Sequence, residues 1–138
     1  MQDGGVQGGV RLLLRLEGAA LLALSLAAYA HWCVPQGQGW GLWAACILLP
    51  DLALLAYLAG PRVGAACYNS THSLLGAGAC LGLALAGVHG YWLAAGLVWT
   101  AHIGLDRLLG YGLKYGSDFG HTHLGRIGRA RTVPEQAG

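Results

Sequence analysis

From residue 12 to residue 113 the chain is largely apolar, and it is punctuated by VPQGQG at 34–39, GP at 60–61 and VHG at 88–90. Such glycine- and proline-rich joints break helices. A helix that crosses a bilayer needs roughly 20 mostly apolar residues. The pattern therefore predicts four spanning helices, at about residues 12–32, 40–59, 63–87 and 91–113. Only 10% of the residues are charged, against about 25% in soluble domains. So few charges cannot coat a globular surface, which makes a lipid bilayer the expected solvent. The fold class predicted is all-α, an integral membrane bundle of four transmembrane helices with short loops. A disordered glycine-rich N-terminus (1–10) is expected before residues 11–113, and a polar basic cytoplasmic tail (114–138) after them. Pro50 falls inside the second span and is expected to kink it or free a carbonyl.

Charge placement supports this topology. Arg11 and Arg15 begin the first span, and Arg62 lies between the second and third. Arg107 and Lys114 end the fourth, and Arg126, Arg129 and Arg131 lie in the tail. The joints after the first and third spans carry neither Lys nor Arg. Under the positive-inside rule this places both termini in the cytoplasm, as expected for a multi-pass protein of the inner membrane. Trp40, Tyr91 and Trp92 then sit at the outer interface, where aromatic rings are enriched. A cleaved signal peptide is the rival reading, because Ala28-Tyr29-Ala30 follows an apolar run and basic residues. Glu17 interrupts that run, and removing the first span would undo the charge pattern. Cys33, Cys46, Cys67 and Cys80 lack CxxC spacing and read as small apolar side chains. Gly78-x-x-x-Gly82 reads as a close helix-packing face.

Ionisable groups inside a bilayer are costly and point to function. Here they are Glu17, Asp51, His72, His102, Asp106 and Arg107. At 1.5 Å per residue, Asp51 lies roughly 12 Å and His72 roughly 13 Å from the inner side. His102 and Asp106 return toward that side, and Glu17 lies near it, so four spans present polar groups at one level. His102 and Asp106 are spaced i, i+4 and share a helix face; Asn69 and His72, at i, i+3, also share one. Two imidazoles and two carboxylates suit zinc, iron or manganese, and a water on such a metal is a nucleophile near neutral pH. The set Asp51, His72, His102 and Asp106 is therefore the expected metal site. The alternative for each residue is a hydrogen bond that glues helices together. Glu17 can instead pair with Arg15, Arg62 or Arg107, and Arg107 can snorkel to headgroups or hold a phosphate. His31 and His89 fall in outer joints and read as interfacial. In the tail, His121 and His123 flank Thr122 near Asp118. Either the tail lies on anionic lipid, or it folds back over the inner mouth and donates a histidine. Its glycines argue against an amphipathic helix.

Several literal runs resemble a family of membrane proteins known as domain of unknown function family 4260. They are RLEG (15–18), LLPDLALLAYLAGPRVGAACYN (48–69), His72-Ser73-Leu74, AHIGLDRLLGYGLKY (101–115) and THLGRIG (122–128). The resemblance implies a small multi-pass membrane protein and no established activity. PDLA (50–53), THSLL (71–75) and HIGLDRLLGYG (102–112) are also similar, in the same order, to motifs of membrane-bound metal-dependent hydrolases. That likeness implies the same four ligands, Asp51, His72, His102 and Asp106. The chain departs from it at Ala53, where a second acid is usual, and at Cys67-Tyr68-Asn69, where His-Arg-Gly is usual.

Two functions are thus expected. The first is a metal-dependent hydrolase acting on a lipid-like ester or phosphoester at the inner leaflet, with Tyr68, Asn69 or Arg107 steadying developing charge and Glu17 as a further catalytic candidate. The second is a non-catalytic binding, transport or assembly protein whose polar network fixes helix packing. Haem held by His72 and His102 is a third idea, made less natural by the neighbouring acids.

Overall fold

The computed structural model describes residue 6 and residues 8–88, 90–117 and 119–127. His89, Asp118, Arg129, Arg131 and residues 1–5 of the expected N-terminal segment lie outside the described residues. The fold is helical, with one small hairpin. Helix α1 covers Gly8–Ala28 and continues through a π turn (Tyr29–Cys33) and a 3-10 turn (Val34–Gln36). Helix α2 covers Trp40–Cys46, and a 3-10 segment runs over Leu49–Ala59. Then come α3 (Pro61–His72), α4 (Leu74–Leu85) and α5 (Trp92–Leu109). Strands β1 (His121–Thr122) and β2 (Gly125–Arg126) pair antiparallel.

Two helical stretches, Gly8–Gln36 and Trp40–Ala59, are long and apolar enough to cross a membrane. Within the second, Pro50 alone is buried inside the protein, unlike the core helix of a soluble domain. Leu58, Leu75 and Leu85 are likewise exposed. The buried core gathers instead around α5, where Ala94, Leu97 and Val98 pack with Tyr29 and Cys33.

The elements differ from the sequence pattern in instructive ways. The second predicted span is not one α-helix: it turns at residues 47–48 and is 3-10 from Leu49, the break falling at Pro50, whose missing N–H removes a helical hydrogen bond. The third breaks at Ser73, which is extended (ψ 153°). The preceding hydroxyls compete with helical hydrogen bonding. Ser70 Oγ donates to the Cys67 carbonyl (2.7 Å) and Thr71 Oγ1 to the Tyr68 carbonyl (3.0 Å). The break orphans the Thr71 carbonyl, and the Trp99 indole N–H of α5 satisfies it. The fourth predicted helix stops at Leu109, four residues early, because Gly110 takes a left-handed C-cap (φ 94°). At the N-terminus α1 already begins at Gly8, and the Val6 N–H donates to the His123 carbonyl (3.0 Å).

Close packing runs through other glycines than the pair expected. A Cβ at Gly78 or Gly82 would meet nothing within 4 Å. At Gly104 it would meet the Gly18 carbonyl and the Leu22 amide at 2.7 Å, and at Gly18 it would strike the Gly104 carbonyl at 2.8 Å. Helices α1 and α5 therefore cross backbone to backbone. Gly104→Ala is expected to lose about 1–3 kcal/mol by forcing that crossing apart. Gly78→Ala should be neutral or gain up to about 1 kcal/mol from helix propensity. Thermal unfolding of both variants in mild detergent, followed by circular dichroism, checks the contrast.

Candidate metal centre

Three segments converge on one point. The 3-10 segment supplies Asp51, the last residue of α3 supplies His72, and α5 supplies His102 and Asp106 from adjacent turns. One potential ligand atom from each lies within 4.8 Å of all the others. The expected contribution of a fourth span is absent: Glu17 is exposed on α1, outside this cluster. The two Nε2 atoms of His72 and His102 stand 3.0 Å apart. His72 Nε2 is 3.3 Å from both Asp51 Oδ1 and Asp106 Oδ2. His102 Nε2 is 3.4 Å from Asp51 Oδ1 and 3.8 Å from Asp106 Oδ2. Four donors about 2.0–2.2 Å from a tetrahedral zinc would stand roughly 3.4 Å from one another. The set matches that scale. Haem does not fit, because carboxylate oxygens at 3.3–3.4 Å from the imidazole nitrogens fill the space a porphyrin needs.

The surroundings orient His72. Its Nδ1 lies 2.9 Å from the Tyr68 carbonyl. A carbonyl only accepts, so this contact needs the proton on Nδ1; Thr71 Oγ1, also 2.9 Å from Nδ1, then accepts as well, and Nε2 turns its lone pair into the cluster. Metal-ligating histidines are fixed this way through their other nitrogen. The Tyr68 ring stacks on the imidazole at 3.6 Å and 11°, and its hydroxyl donates to Asp106 Oδ2 (2.9 Å). Thr71 Oγ1 shares its one proton between the Tyr68 carbonyl (3.0 Å) and the Pro50 carbonyl (3.2 Å), tying Asp51's segment to α3. His102 Nδ1 is buried without a hydrogen-bond partner among the described residues.

The centre has a closed back and an open front. His72 and His102 are 4% and 2% exposed, whereas the Asp106 and Asp51 side chains are 17% and 36% exposed. Both carboxylates line a cavity of about 190 Å³ together with Tyr68, Tyr111, Lys114 and Phe119. Pro50 and Thr71 also line an apolar cavity of about 320 Å³, together with Leu49, Val98 and Trp99.

The remaining sequence candidates take other places. Asn69 does not face the cluster. Its Nδ2 donates to the Lys114 carbonyl (2.8 Å), and its Oδ1 accepts from the Lys114 N–H (2.6 Å). Arg107 is half-buried beside Gly18, on the α1 side of α5, and does not line the cavity. The tail does fold back, but it brings Lys114 and Phe119 rather than a histidine. His121 Nδ1 lies 3.0 Å from Ser117 Oγ. His123 Nδ1 accepts from the Leu113 N–H (2.8 Å). Lys114 and Trp99 carry no motif. The available signal was that Lys114 is the chain's single lysine, set beside an aromatic, glycine-rich stretch.

A family model described as Domain of unknown function (DUF4260) matches residues 11–127. The chain belongs to that family. No curated protein and no solved structure matches it.

Two predictions follow from the tail's anchoring. Asn69→Leu strands the Lys114 N–H and C=O in a buried position, at about 1–3 kcal/mol per group. A lower unfolding midpoint and faster hydrogen exchange at the Lys114 amide are expected. Burial, with Arg107 nearby, holds the His123 imidazole below the usual histidine range. The unfolded chain then binds the proton more readily, so this contribution is complete above the ordinary histidine value and is lost as pH falls through it. His123→Asn keeps an acceptor for the Leu113 N–H and should flatten that part of the acid destabilisation between about pH 8 and pH 5.

Proposed function

We propose that this family member is a metal-dependent hydrolase of the inner membrane, acting on a lipid-like ester or phosphoester at the inner leaflet. Asp51, His72, His102 and Asp106 hold one divalent ion, zinc, iron or manganese. The observation that carries this reading is the His72 Nε2 lone pair, which faces two carboxylate oxygens and a second imidazole nitrogen within 3.3 Å. Acceptors gathered so closely repel one another unless a cation lies among them. Two carboxylates also balance the charge of a divalent ion, as a low-dielectric site demands. Such an ion supplies Lewis acidity and an activated water near neutral pH.

The chain's own groups divide the remaining work. His72 and His102 close the back of the site, while Asp51 and Asp106 open onto the cavity, so solvent and substrate would reach the centre from the carboxylate side. The Tyr68 hydroxyl donates to Asp106 Oδ2 and so orients that carboxylate at the edge of the cavity. The apolar cavity beside Pro50 and Thr71 favours an acyl chain. In the membrane, Pro61–Leu85 forms one interrupted span of roughly 37 Å, and α5 completes a four-span protein with both termini cytoplasmic. Irregular backbone such as that at Ser73 is tolerated at membrane depth where it lines a site.

A second, non-catalytic reading has its own observation. With no acceptor at His102 Nδ1 among the described residues, the proton can sit on Nε2 and be donated to His72, closing the network as helix-packing glue. Metal content divides the two. Elemental analysis of protein purified in mild detergent should find close to one zinc, iron or manganese per chain, lost in His102→Ala and in Asp51→Ala. Chelation should abolish hydrolysis of a fluorogenic phospholipid and leave the fold intact. Metal-free wild type after supplementation would favour the packing network.

A further inference from the structure

The apolar cavity beside the centre is the first part of a longer groove. Pro50 and Thr71, which immediately precede the ligands Asp51 and His72, line that cavity of about 320 Å³. A second apolar cavity, of about 210 Å³, reaches to Tyr29, Leu42 and Tyr91. Cys46, Ala95 and Val98 line both. The two hollows therefore share a wall and make one groove, with α2 and the start of the 3-10 segment on one side and α5 on the other. Its inner wall is tied to the centre. Gly76 of α4 leaves room for the Trp99 ring, and the Trp99 indole N–H donates to the Thr71 carbonyl at the end of α3. Ala95 is exposed at the junction, and a single methyl group there leaves the passage open.

Shape and lining restrict the occupant. A groove walled by hydrocarbon selects hydrocarbon. A partner helix, about 10 Å across, is too thick to enter hollows of this size. One alkyl chain is thin enough, and in this position it is the apolar part of a molecule whose polar end lies at Asp51 and His72. Length follows from the helix that forms the wall. From Tyr91 to Trp99, α5 rises about 12 Å, which roughly nine or ten methylenes span at about 1.3 Å each along a zigzag of carbon–carbon bonds.

We propose that this groove takes one acyl chain of about ten carbons, and that Ala95 sets that length by keeping the second cavity open to the first. That the chain belongs to a substrate rests on the hydrolase reading, whereas its binding can be measured without it.

Cys46 reports on the junction. The protein is purified in digitonin, whose apolar part is a steroid rather than an alkyl chain. It is alkylated with N-ethylmaleimide, and peptide mass spectrometry follows Cys46, Cys67 and Cys80 separately. The probes are n-alkyl sulfobetaines with chains of six to fourteen carbons, which contain no ester. The expected result is saturable slowing of alkylation at Cys46 and not at Cys67 or Cys80, which line neither cavity. The concentration needed should fall as the chain lengthens to about ten carbons and then level. In Ala95→Phe, each rate being referred to that variant without probe, the dodecyl compound should protect at least about tenfold less well, the size of about two methylenes denied burial. The preference for long over short chains should be lost. Equal slowing at all three cysteines means that the probe merely coats the surface, and it overturns the proposal. So does no slowing at Cys46, or an unchanged length preference in Ala95→Phe. If that variant does not fold, the wild-type series decides: protection that is the same at every length, or that never levels, overturns the proposal. Each series is run on zinc-loaded and on chelated samples, with zinc content measured. Zinc bound without protection of Cys46 removes the acyl groove and leaves the metal centre standing. Protection in protein that binds no zinc keeps the groove and removes the metal centre.

Discussion

Helices α1 and α5 meet backbone to backbone at Gly18 and Gly104, and the rest of the molecule is arranged around the helix this contact positions. With no side chain between them, the Gly18 carbonyl lies 2.7 Å from where a Gly104 Cβ would stand. Helix α5 is thereby held against α1 on one face, while its other faces meet α4 and the α3 break. His102, two residues before Gly104, and Asp106, two residues after it, point away from α1 into the space that His72 and Asp51 share. Glycine matters here because approach is limited by the first carbon of a side chain, and nothing smaller exists.

Polar groups gathered at one point must satisfy one another, because apolar surroundings offer no other partners. The structure meets this demand in layers. The Tyr68 carbonyl fixes the proton on His72, and the Tyr68 hydroxyl holds Asp106. Thr71 binds the Pro50 carbonyl, and Trp99 takes the Thr71 carbonyl that the break at Ser73 would have stranded. The run YNSTHS (68–73) is thus not a uniform polar lining. Each residue answers a different deficit: Tyr68 that of Asp106, Asn69 that of the Lys114 backbone, and Thr71 that of the Pro50 carbonyl. Ser73 ends the helix so that His72 becomes its last residue.

Parts of this were legible beforehand for definite reasons. Depth along a helix follows from a constant rise, which is why Asp51, His72, His102 and Asp106 could be assigned one level and a shared site expected. The helical spacing of His102 and Asp106 put both on one face without knowledge of any neighbour. Pro50 announced its distortion through its missing donor. Glu17 misled because depth says nothing of rotation: it lies near the right level on α1 and faces outward. Gly78-x-x-x-Gly82 misled because a small-residue pattern shows where helices can approach, not where they do. Lys114 lines the cavity and Arg107 does not, for a related reason. A charge near the end of a helix is aimed by the chain that follows, and here the turn at Gly110 carries Lys114 back over the cavity while Arg107 stays with α1.

What the sequence determined by itself was the helical class, the apolar character and the four ionisable residues capable of sharing a site. Those properties depend on composition, periodicity and rise, all of which are local. Only the tertiary structure decided which faces meet, that Lys114 joins the cavity and that the histidines form its back and the carboxylates its front. The physical reason is that apolar helices of this kind bury little and specify rotation weakly through hydrophobic pattern. Rotation is settled by contacts distant in sequence: a glycine crossing between residues 18 and 104, an indole bond between 99 and 71, and an amide clamp between 69 and 114.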